Sequence, residues 1–407
     1  MKHLFSFLLA CSLLFLFTSS RGQTAGELYY LSRPGSTIPA HPAAGDHSVS
    51  ERFPDGSIAR ILTIDSVTGW LEIAVDDQTG WIIRKYLGEQ IFADTSRTLS
   101  CVVGTWNLEW FKDGKGRGFP ESASGGESYG PRTMDDYIAI AELIREELHA
   151  AVLALTEIHT SSSGGMQSAE MDRLVGCLGG GYKYYPGEYA NTQDVVLLYD
   201  TTRVRLNTSF EIVIDEKKIQ GKDIFDRDPL VAHFTALSPS GNPLNDFIFV
   251  GLHLASGQDN NTNHSKAMML LTDTLAYLIE EGDVLPAGED DIILTGDLNL
   301  DYFDKKRESH LEAMEAGEWD ILADKDTYPA TRLAKVSASD APFELGPKSK
   351  IDYIIVTDAM RGDDREVQVS QADVHQELAN DDWPGFREHF SDHFPVTVAL
   401  HLLPDDD

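Results

Sequence analysis

At 407 residues, of which 42% are hydrophobic and 24% charged, the chain has the composition of a soluble protein and the length for a large domain and a smaller one without disulfide support. Its net charge of −33, from 66 acidic against 33 basic residues, argues against a protein that holds nucleic acid on a broadly basic surface. Two interpretations of this charge stay open: the ligand is not a long polyanion, or the acidity keeps the protein soluble in salty surroundings, where repulsion is screened.

Residues 1–22 are typical of a secretory signal peptide. Met1–His3 forms a basic start, Leu4–Phe17 is almost wholly apolar, and small residues follow up to Gly22. Since a membrane span needs about 20 apolar residues, we expect cleavage near Gly22 rather than an uncleaved anchor. The sequence therefore predicts a secreted or periplasmic protein with no transmembrane span after cleavage.

Two cysteines remain after this segment, Cys101 and Cys177. Export would permit a disulfide between them. Two buried free thiols are the alternative, and both stay open.

Residues 23–96 predict a small all-β domain. Turn signals recur at short intervals, and between them lie three strand-like pieces, Ala59–Ile64, Trp70–Val75 and Gly80–Ile83. The Gly-Trp pairs that precede Leu71 and Ile82, with a closing Tyr-Leu, resemble the bacterial SH3-like module. This resemblance implies a small barrel that binds a cell-wall or peptide ligand.

Residues 97–407 alternate apolar strands with longer segments and two clear helices. The first, Thr133–Leu148, has Thr133 as an N-cap with Asp136 three residues later, and the second, Ser265–Glu281, ends at Gly282. The stretches 112–131 and 370–390 read as long loops.

Several strands of this second part end on a residue that can bind a metal or move a proton. A carboxylate or imidazole at the edge of a buried strand is costly without a partner, so several at one end predict a shared basin. Oxygen-rich basins suit hard cations such as Mg²⁺, Mn²⁺ or Ca²⁺. Any one of these residues could simply cap a loop, but together they favour a metal site. They are Asn107, Glu109, Glu157, His253, Asp297 and Asn299, with Asp352 at the start of a strand and Asp392–His393 before the last one.

The order of these blocks resembles the endonuclease/exonuclease/phosphatase superfamily over about residues 101–401. The resemblance implies an α+β fold, a four-layer α/β/β/α sandwich of two packed mixed sheets with helices outside, in residues 97–407 behind the SH3-like barrel. The six matching blocks are Trp106–Glu109, Leu155–Glu157, His253–Leu254, Gly296–Asn299, Ile351–Tyr353 and Ser391–His393.

The resemblance also implies the metal ligands. Glu157 is the principal ligand of Mg²⁺ (or Mn²⁺ or Ca²⁺), and Asn107, Glu109 and Asp392 complete the shell directly or through water. The cation stabilises charge on the phosphoryl oxygens.

Catalytic roles follow from the same resemblance. His393 is the general base that takes a proton from water, and Asp352 holds its tautomer. Asp297 and Asn299 position the water and the phosphoryl oxygens. His253 contacts a non-bridging oxygen or protonates the leaving group, so the reaction is hydrolysis of a phosphodiester by in-line attack of water.

Four features bear on the branch of the family. His253 directly follows its strand, where the repair endonucleases that act at abasic sites resemble each other in lacking a histidine, so that branch is disfavoured. The segment 223–234 is similar to the Arg-Glu-Pro segment of the pancreatic-type deoxyribonucleases, which implies a phosphate contact for Arg227; an ion pair with a neighbouring aspartate is the alternative. Asn191 and Gln193 stand where the family has a phosphate-facing block. His159 replaces the arginine with which those nucleases contact the minor groove.

We therefore expect an endonuclease that acts on DNA or RNA. A phosphoesterase of the same fold acting on a lipid headgroup or inositol phosphate, similar to sphingomyelinases, is the alternative, and it fits the acidity better. A cell-wall-binding protein with a decayed catalytic domain is a further alternative.

Overall fold

In the computed structural model the chain divides into two compact units, Met1–Thr98 and Leu99–Asp407. The predicted signal peptide and Asn191 lie outside the described residues. The structure describes residues 28–31, 37–44, 48–53, 58–65, 70–75, 78–83, 85, 87–91, 99–111, 117–118, 128–129, 132–161, 167–187, 193–213, 218–219, 222–223, 225, 227–239, 241–255, 261–300, 319–323, 327–335, 345–361 and 367–402.

The first unit is built from antiparallel strands, and the three predicted strands are confirmed. Five strands form a sheet in the order β6-β5-β4-β1-β7, and β2 pairs with β3. Alternate residues of these strands form a small separate core that includes Ile61, Ile73 and Ile82. The likeness to an SH3-like module stays a prediction. The strands are β1 (Leu28–Leu31), β2 (Ile38–Ala40), β3 (Glu51–Phe53), β4 (Ile58–Ile64), β5 (Trp70–Val75), β6 (Gln78–Ile83) and β7 (Leu87–Ile91).

The second unit contains two mixed sheets that share one hydrophobic core, which confirms the predicted fold class. One sheet has the order β12-β13-β11-β8-β26-β24, with β25 also on β26, and the other has the order β14-β17-β18-β19-β23-β20. The strands are β8 (Leu99–Phe111), β9 (Arg117–Gly118), β10 (Ser128–Tyr129), β11 (Ala150–Ile158), β12 (Tyr182–Tyr185), β13 (Asp194–Asp200), β14 (Val204–Glu211), β15 (Lys218–Ile219), β16 (Lys222–Asp223), β17 (Leu230–Leu237), β18 (Pro243–His253), β19 (Ile292–Asp297), β20 (Trp319–Ile321), β21 (Arg332–Lys335), β22 (Leu345–Ser349), β23 (Asp352–Thr357), β24 (Val367–Val369), β25 (Asp373–Val374) and β26 (Val396–Leu402).

The two predicted helices are present with shifted bounds. Helix α1 (Met134–Glu142) begins at the capping box that Thr133 and Asp136 form, and continues as a π-helical turn, Leu143–Glu147. Helix α2 is Ala169–Leu178, and α3 (Asn261–Glu281) begins four residues before the predicted start.

The prediction of a long loop over 370–390 was wrong. This stretch contains β25, a 3₁₀ turn (Gln376–Ala379) and helix α4 (Trp383–His389). Asp382 caps α4 by accepting from the Gly385 N–H, and Phe386 packs into the core. Short polar elements of this kind lack the periodicity that sequence patterns detect.

Both cysteines are free thiols, Cys101 buried and Cys177 half-buried, so the disulfide alternative is not formed. Burial raises the pKa of the Cys101 thiol to about 12, which makes it unreactive. No helix within the described ranges is long and apolar enough to cross a membrane.

Candidate active site

Strand register brings the predicted catalytic residues of one sheet into a single row. β18 and β19 are parallel with His253 opposite Asp297, and β19 and β23 are antiparallel with Asp297 opposite Asp352. In the other sheet, parallel β8 and β11 pair Asn107 with Thr156, next to Glu157. His253, Asp297 and Glu157 lie at or next to the carboxyl ends of their strands, which parallel neighbours present at the same edge, while Asn107 lies four residues before the end of β8.

Asn107 links the two sheets across this basin. Its Nδ2 donates to Glu157 Oε1 at 3.1 Å and to Asp297 Oδ2 at 3.0 Å, and its Oδ1 accepts from the Glu109 N–H. Glu157 Oε2 accepts from the Trp110 N–H. In this arrangement Asn107 acts as a donor between two carboxylates, and its predicted role as a metal ligand stays a prediction.

The backbone around Glu157 is strained. Glu157 has a φ of 62°, and Glu109 and Trp110 are also left-handed at 41° and 50°. Non-glycine residues adopt this region only where surrounding contacts hold them, and such residues cluster at functional sites. The strain turns the Trp110 N–H toward the Glu157 carboxylate.

His393 and Asp352 form a buried pair. His393 Nδ1 lies 2.9 Å from Asp352 Oδ2, and both side chains are almost completely buried. His393 Nε2 is directed into the basin, 3.9 Å from Asp297 Oδ2 and 3.8 Å from Asp392 Oδ1. Burial lowers the pKa of His393, but Asp352 and Asp392 outweigh it and raise the pKa to about 10.

Local contacts hold the segment before β26 in place. Trp106 Nε1 donates to the His393 carbonyl, Ser391 Oγ donates to the Asn107 carbonyl, and the His393 N–H donates to Ser391 Oγ. These bonds explain why a serine precedes the Asp-His pair: its hydroxyl joins this segment to β8.

His253 approaches the same carboxylate from the other side. Its Nε2 lies 3.9 Å from Asp297 Oδ2, so the Nε2 atoms of both histidines converge on one oxygen. Burial lowers the pKa of His253 well below its usual range, and Arg227 and His393 lower it further. Burial also raises the pKa of Asp297 to about 7, with Asp352 adding to the rise.

The end of β19 requires a glycine where the strand lies against β18. An added Cβ on Gly296, which has a φ of 153°, would lie 1.9 Å from the Leu252 carbonyl oxygen. Asn299 donates its N–H to Asp297 Oδ1 at 2.9 Å and its Nδ2 to the Leu254 carbonyl at 2.8 Å. Asp297 and Asn299 are therefore positioned together at the basin edge, as the sequence predicts.

Two of the predicted metal ligands are ion-paired with arginines that the sequence reasoning missed. Both Glu109 oxygens accept from Arg387, and both side chains are buried. Asp392 Oδ2 lies 3.1 Å from Arg332 Nε and 3.8 Å from Arg387. Arg387 stands between two phenylalanines on α4, which is the one sequence signal that could have pointed to it.

The pKa values of these two carboxyl groups shift in opposite directions, although the arginines lower both. Burial raises the pKa of Glu109, with Arg387 opposing the rise. Burial acts in the same sense on Asp392, but His393 and Arg332 outweigh it and lower the pKa. Direct metal ligation by Glu109 and Asp392 stays a prediction.

Arg227 and Gln193 contact each other beside His253. Arg227 donates from Nε to the Gln193 carbonyl at 2.8 Å and from Nη2 to Gln193 Oε1 at 2.7 Å. Arg227 is half-buried, so a substrate contact is compatible with its position. Its role and that of Gln193 in binding stay predictions.

The residues of the basin fit a divalent cation. Asp297, Asp352 and His393 offer ligand atoms within 4.8 Å of one another, and all three are buried. Among the described residues, five carboxylates lie around the basin and two of them, Glu109 and Asp392, are paired with arginines, which leaves carboxylate oxygens that a divalent cation can neutralise. The donors are mainly carboxylate oxygens, which Mg²⁺, Mn²⁺ and Ca²⁺ prefer.

The chain belongs to the endonuclease/exonuclease/phosphatase family, whose family model matches residues 104–393. Members of this family hydrolyse phosphoester bonds and generally depend on a divalent metal. No curated protein matches the chain by sequence.

Solved structures of this family are similar to the chain over about three quarters of its length. A family protein from Bacteroides thetaiotaomicron is 17% identical with a TM-score of 0.45, covering 74% of this chain and 98% of its own. A mannosyl-6-phosphatase from B. thetaiotaomicron VPI-5482 is 16% identical with a TM-score of 0.44, covering 74% and 99%. TDP2 of D. rerio, complexed with single strand DNA product, is 14% identical with a TM-score of 0.47, covering 74% and 99%.

Proposed function

We propose that the chain is a secreted, divalent-metal-dependent phosphodiesterase that hydrolyses nucleic acid as an endonuclease. The observation that carries the hydrolytic part is the Asp352–His393 pair, whose free Nε2 faces Asp297 across a basin of carboxylates. Export rests on the N-terminal segment of the sequence, and nucleic acid as substrate rests on the resemblance around Arg227.

His393 takes a proton from the attacking water at Nε2. Asp352 holds Nδ1 protonated, so that Nε2 is the nitrogen that accepts. The carboxylates that raise the pKa of His393 also favour its protonated form once the proton has moved.

Glu157 and Asp392, with Asp297 across the basin, would hold the divalent cation. When bound, it supplies Lewis-acid stabilisation of charge on the phosphoryl oxygens. The charge of the bound cation would also oppose Asp392 and Asp297, which raise the pKa of His393, so this imidazole would then serve as a general base.

His253 and Asn299 are the remaining catalytic residues, and they lie on the side of the basin away from Asp352. His253 is neutral at physiological pH because burial disfavours its charge, so its Nε2 can donate to or accept from a phosphoryl oxygen. Asn299 keeps its Oδ1 for the water, since its Nδ2 is bonded to Leu254.

A phosphoesterase acting on a lipid headgroup or inositol phosphate is the second candidate. The net charge of −33 favours it, because a small substrate suffers less repulsion than a long polyanion. Under either candidate, residues 23–96 serve as a binding module for a cell-wall or peptide ligand, and sedimentation of that fragment with cell walls tests it.

A substrate panel tests the proposal. Supercoiled DNA, RNA, sphingomyelin and inositol phosphates are each incubated with Mg²⁺, Mn²⁺ or Ca²⁺, using wild-type protein, His393→Ala and Asp352→Asn. We expect nicking of DNA or RNA that excess chelator abolishes, and a decrease of about 10²–10⁴-fold in both variants, since each removes the general base or its tautomer.

Two results would contradict the proposal. Full activity in excess chelator excludes metal dependence. Release of phosphocholine or inorganic phosphate without any nicking of nucleic acid would replace the nuclease with the second candidate. Circular dichroism spectra of the variants that match the wild type exclude misfolding as the cause of lost activity.

A further inference from the structure

Arg332 is held at the basin by backbone contacts to both catalytic segments. Thr331 and Leu333 bond to the segment that contains His393: the Leu333 N–H donates to the Asp392 carbonyl, and the Phe394 N–H donates to the Thr331 carbonyl. Thr331 Oγ1 accepts from the N–H groups of Ile351 and Asp352. The Cα of Arg332 is therefore fixed opposite His393, with which it forms a β-bridge.

The Arg332 side chain reaches into the basin while remaining open to solvent. Its Nε lies 3.1 Å from Asp392 Oδ2, and the side chain is 41% exposed, whereas Asp392 is 6% exposed. Asp392, Asp297 and Glu157 oppose the effect of burial on the guanidinium and raise the pKa of Arg332. Within the part of the chain that the structure describes, its Nη groups have no hydrogen-bond partner.

The other three arginines of this region are already engaged. Arg132 donates to the Leu108, Glu109 and Phe390 carbonyls. Arg387 is 4% exposed and uses two nitrogens on Glu109. Arg227 uses two nitrogens on Gln193. Among these four, Arg332 is the one whose Nη donors are left for a ligand at the solvent-exposed side of the basin.

We propose that Arg332 binds a non-bridging oxygen of the scissile phosphoryl group through its Nη atoms. The inference rests on the proposed function and adds a residue that the family resemblance does not supply. A guanidinium presents two parallel N–H donors to a phosphate and stays charged at every relevant pH, which suits an oxygen whose negative charge grows during hydrolysis. Asp392 keeps the guanidinium oriented through Nε and leaves the outer edge for substrate.

The test compares Arg332→Ala and Arg332→Lys with Arg361→Ala. Arg361 pairs with Asp320 at 2.7 Å and is 35% exposed, so it matches Arg332 in charge and exposure but has no contact with the basin among the described residues. The substrate is bis(4-nitrophenyl) phosphate, which has a single phosphate and so reports only on the scissile group. We expect kcat/KM to fall about 10²–10³-fold in Arg332→Ala, to recover in part in Arg332→Lys, and to stay near wild type in Arg361→Ala.

Two further measurements separate substrate contact from a structural role. Added guanidinium chloride at millimolar levels is expected to restore activity to Arg332→Ala alone. Mn²⁺ affinity, measured by isothermal titration calorimetry, is expected to stay within about 3-fold of wild type, while inorganic phosphate binds the Mn²⁺-loaded variant at least about 10-fold more weakly.

Unchanged phosphate binding and kcat/KM in Arg332→Ala would overturn the inference. So would a loss of Mn²⁺ affinity as large as the loss of activity with no rescue by guanidinium, because Arg332 would then only position Asp392. A wild-type protein inactive on every phosphodiester would overturn the proposed function instead, and phosphate binding would still decide the role of Arg332.

Discussion

The two histidines of the basin have opposite electrostatic surroundings, although their Nε2 atoms approach the same oxygen of Asp297. Burial lowers the pKa of His253 and Arg227 adds to the effect, whereas Asp352 and Asp392 overcome burial and raise the pKa of His393. Neighbouring charges therefore separate the pKa values of two imidazoles that approach one carboxylate oxygen.

Beside this region, Asp194 is a buried carboxylic acid whose ionisation destabilises the folded state at neutral pH. Thr160 Oγ1 and the Val195 N–H donate to it, yet burial raises its pKa from 3.8 to about 7. The folded state thus binds the proton more tightly than the unfolded state. The free energy of unfolding consequently falls as pH rises from about 4 to about 7 and levels off above that.

Asp194→Asn should remove this penalty. The amide keeps the shape of the protonated acid, so we expect the variant to gain up to about 4 kcal/mol in the free energy of unfolding at pH 8 and little at pH 4. Urea denaturation at pH 8 and at pH 4 measures the free energy of unfolding. Asp283→Asn, which removes an exposed carboxylate, is the control for net charge; equal gains in both variants would contradict the burial argument.

At the scale of secondary structure, the site is assembled from strand ends and short connecting elements. β18, β19 and β23 supply one row of side chains, and β8 and β11 supply the other. Helix α4 adds Arg387, whose buried pairing with Glu109 joins the helix to β8. Removing one partner of such a pair leaves an uncompensated buried charge, so α4 and β8 depend on each other.

Gly296→Ala tests how closely β18 and β19 must approach. The new methyl group would overlap the Leu252 carbonyl, so we expect a loss of at least about 2 kcal/mol in the free energy of unfolding and loss of activity through displacement of Asp297. Chemical denaturation and kcat measure the two effects.

Gly176→Ala is the matched control. Gly176 lies within α2, and an added Cβ meets nothing within 4 Å. Alanine at this position should raise the free energy of unfolding by about 0.5–1 kcal/mol through helix propensity. If Gly296→Ala behaved like Gly176→Ala, the close approach of the two strands would not be a structural requirement.

At the scale of the whole molecule, the acidity is the feature that a nuclease must overcome. A net charge of −33 repels a polyanion. In the described basin, the guanidinium groups of Arg332 and Arg387 are paired with carboxylates. The screening length falls from about 10 Å at 0.1 M salt to about 3 Å at 1 M, so added salt weakens this repulsion.

We expect kcat/KM on long DNA to hold or to rise as monovalent salt increases from 0.1 M toward 1 M, because relief of repulsion outweighs loss of attraction. Initial rates of plasmid nicking across that range measure it. Bis(4-nitrophenyl) phosphate is the control, since its single charge makes it less sensitive to salt. A steep decrease on DNA, as for nucleases with basic surfaces, would contradict the salt-adapted interpretation.

Much of the site could be predicted because its signals are local in the chain. Apolar runs that end at Asn107, Glu157, His253 or Asp297 identify strands and the edges at which they end, and Thr133 with Asp136 identifies the start of α1. Patterns that involve residues three positions apart, or the end of one strand, can be recognised without knowledge of the rest of the fold. The sequence by itself therefore determined the strands and the acids and histidines that follow them, and its resemblance to the family implied the two-sheet class.

Only the tertiary structure decided how those acids are neutralised. Arg332 and Asp392 are 60 positions apart, and Arg387 and Glu109 are 278 apart, so no local pattern marks either pair. The same holds for the elevated pKa of Asp194, which follows from what surrounds it in the fold. Charge compensation depends on distance in space and on exclusion of water, and both arise only when the two sheets and α4 have packed together.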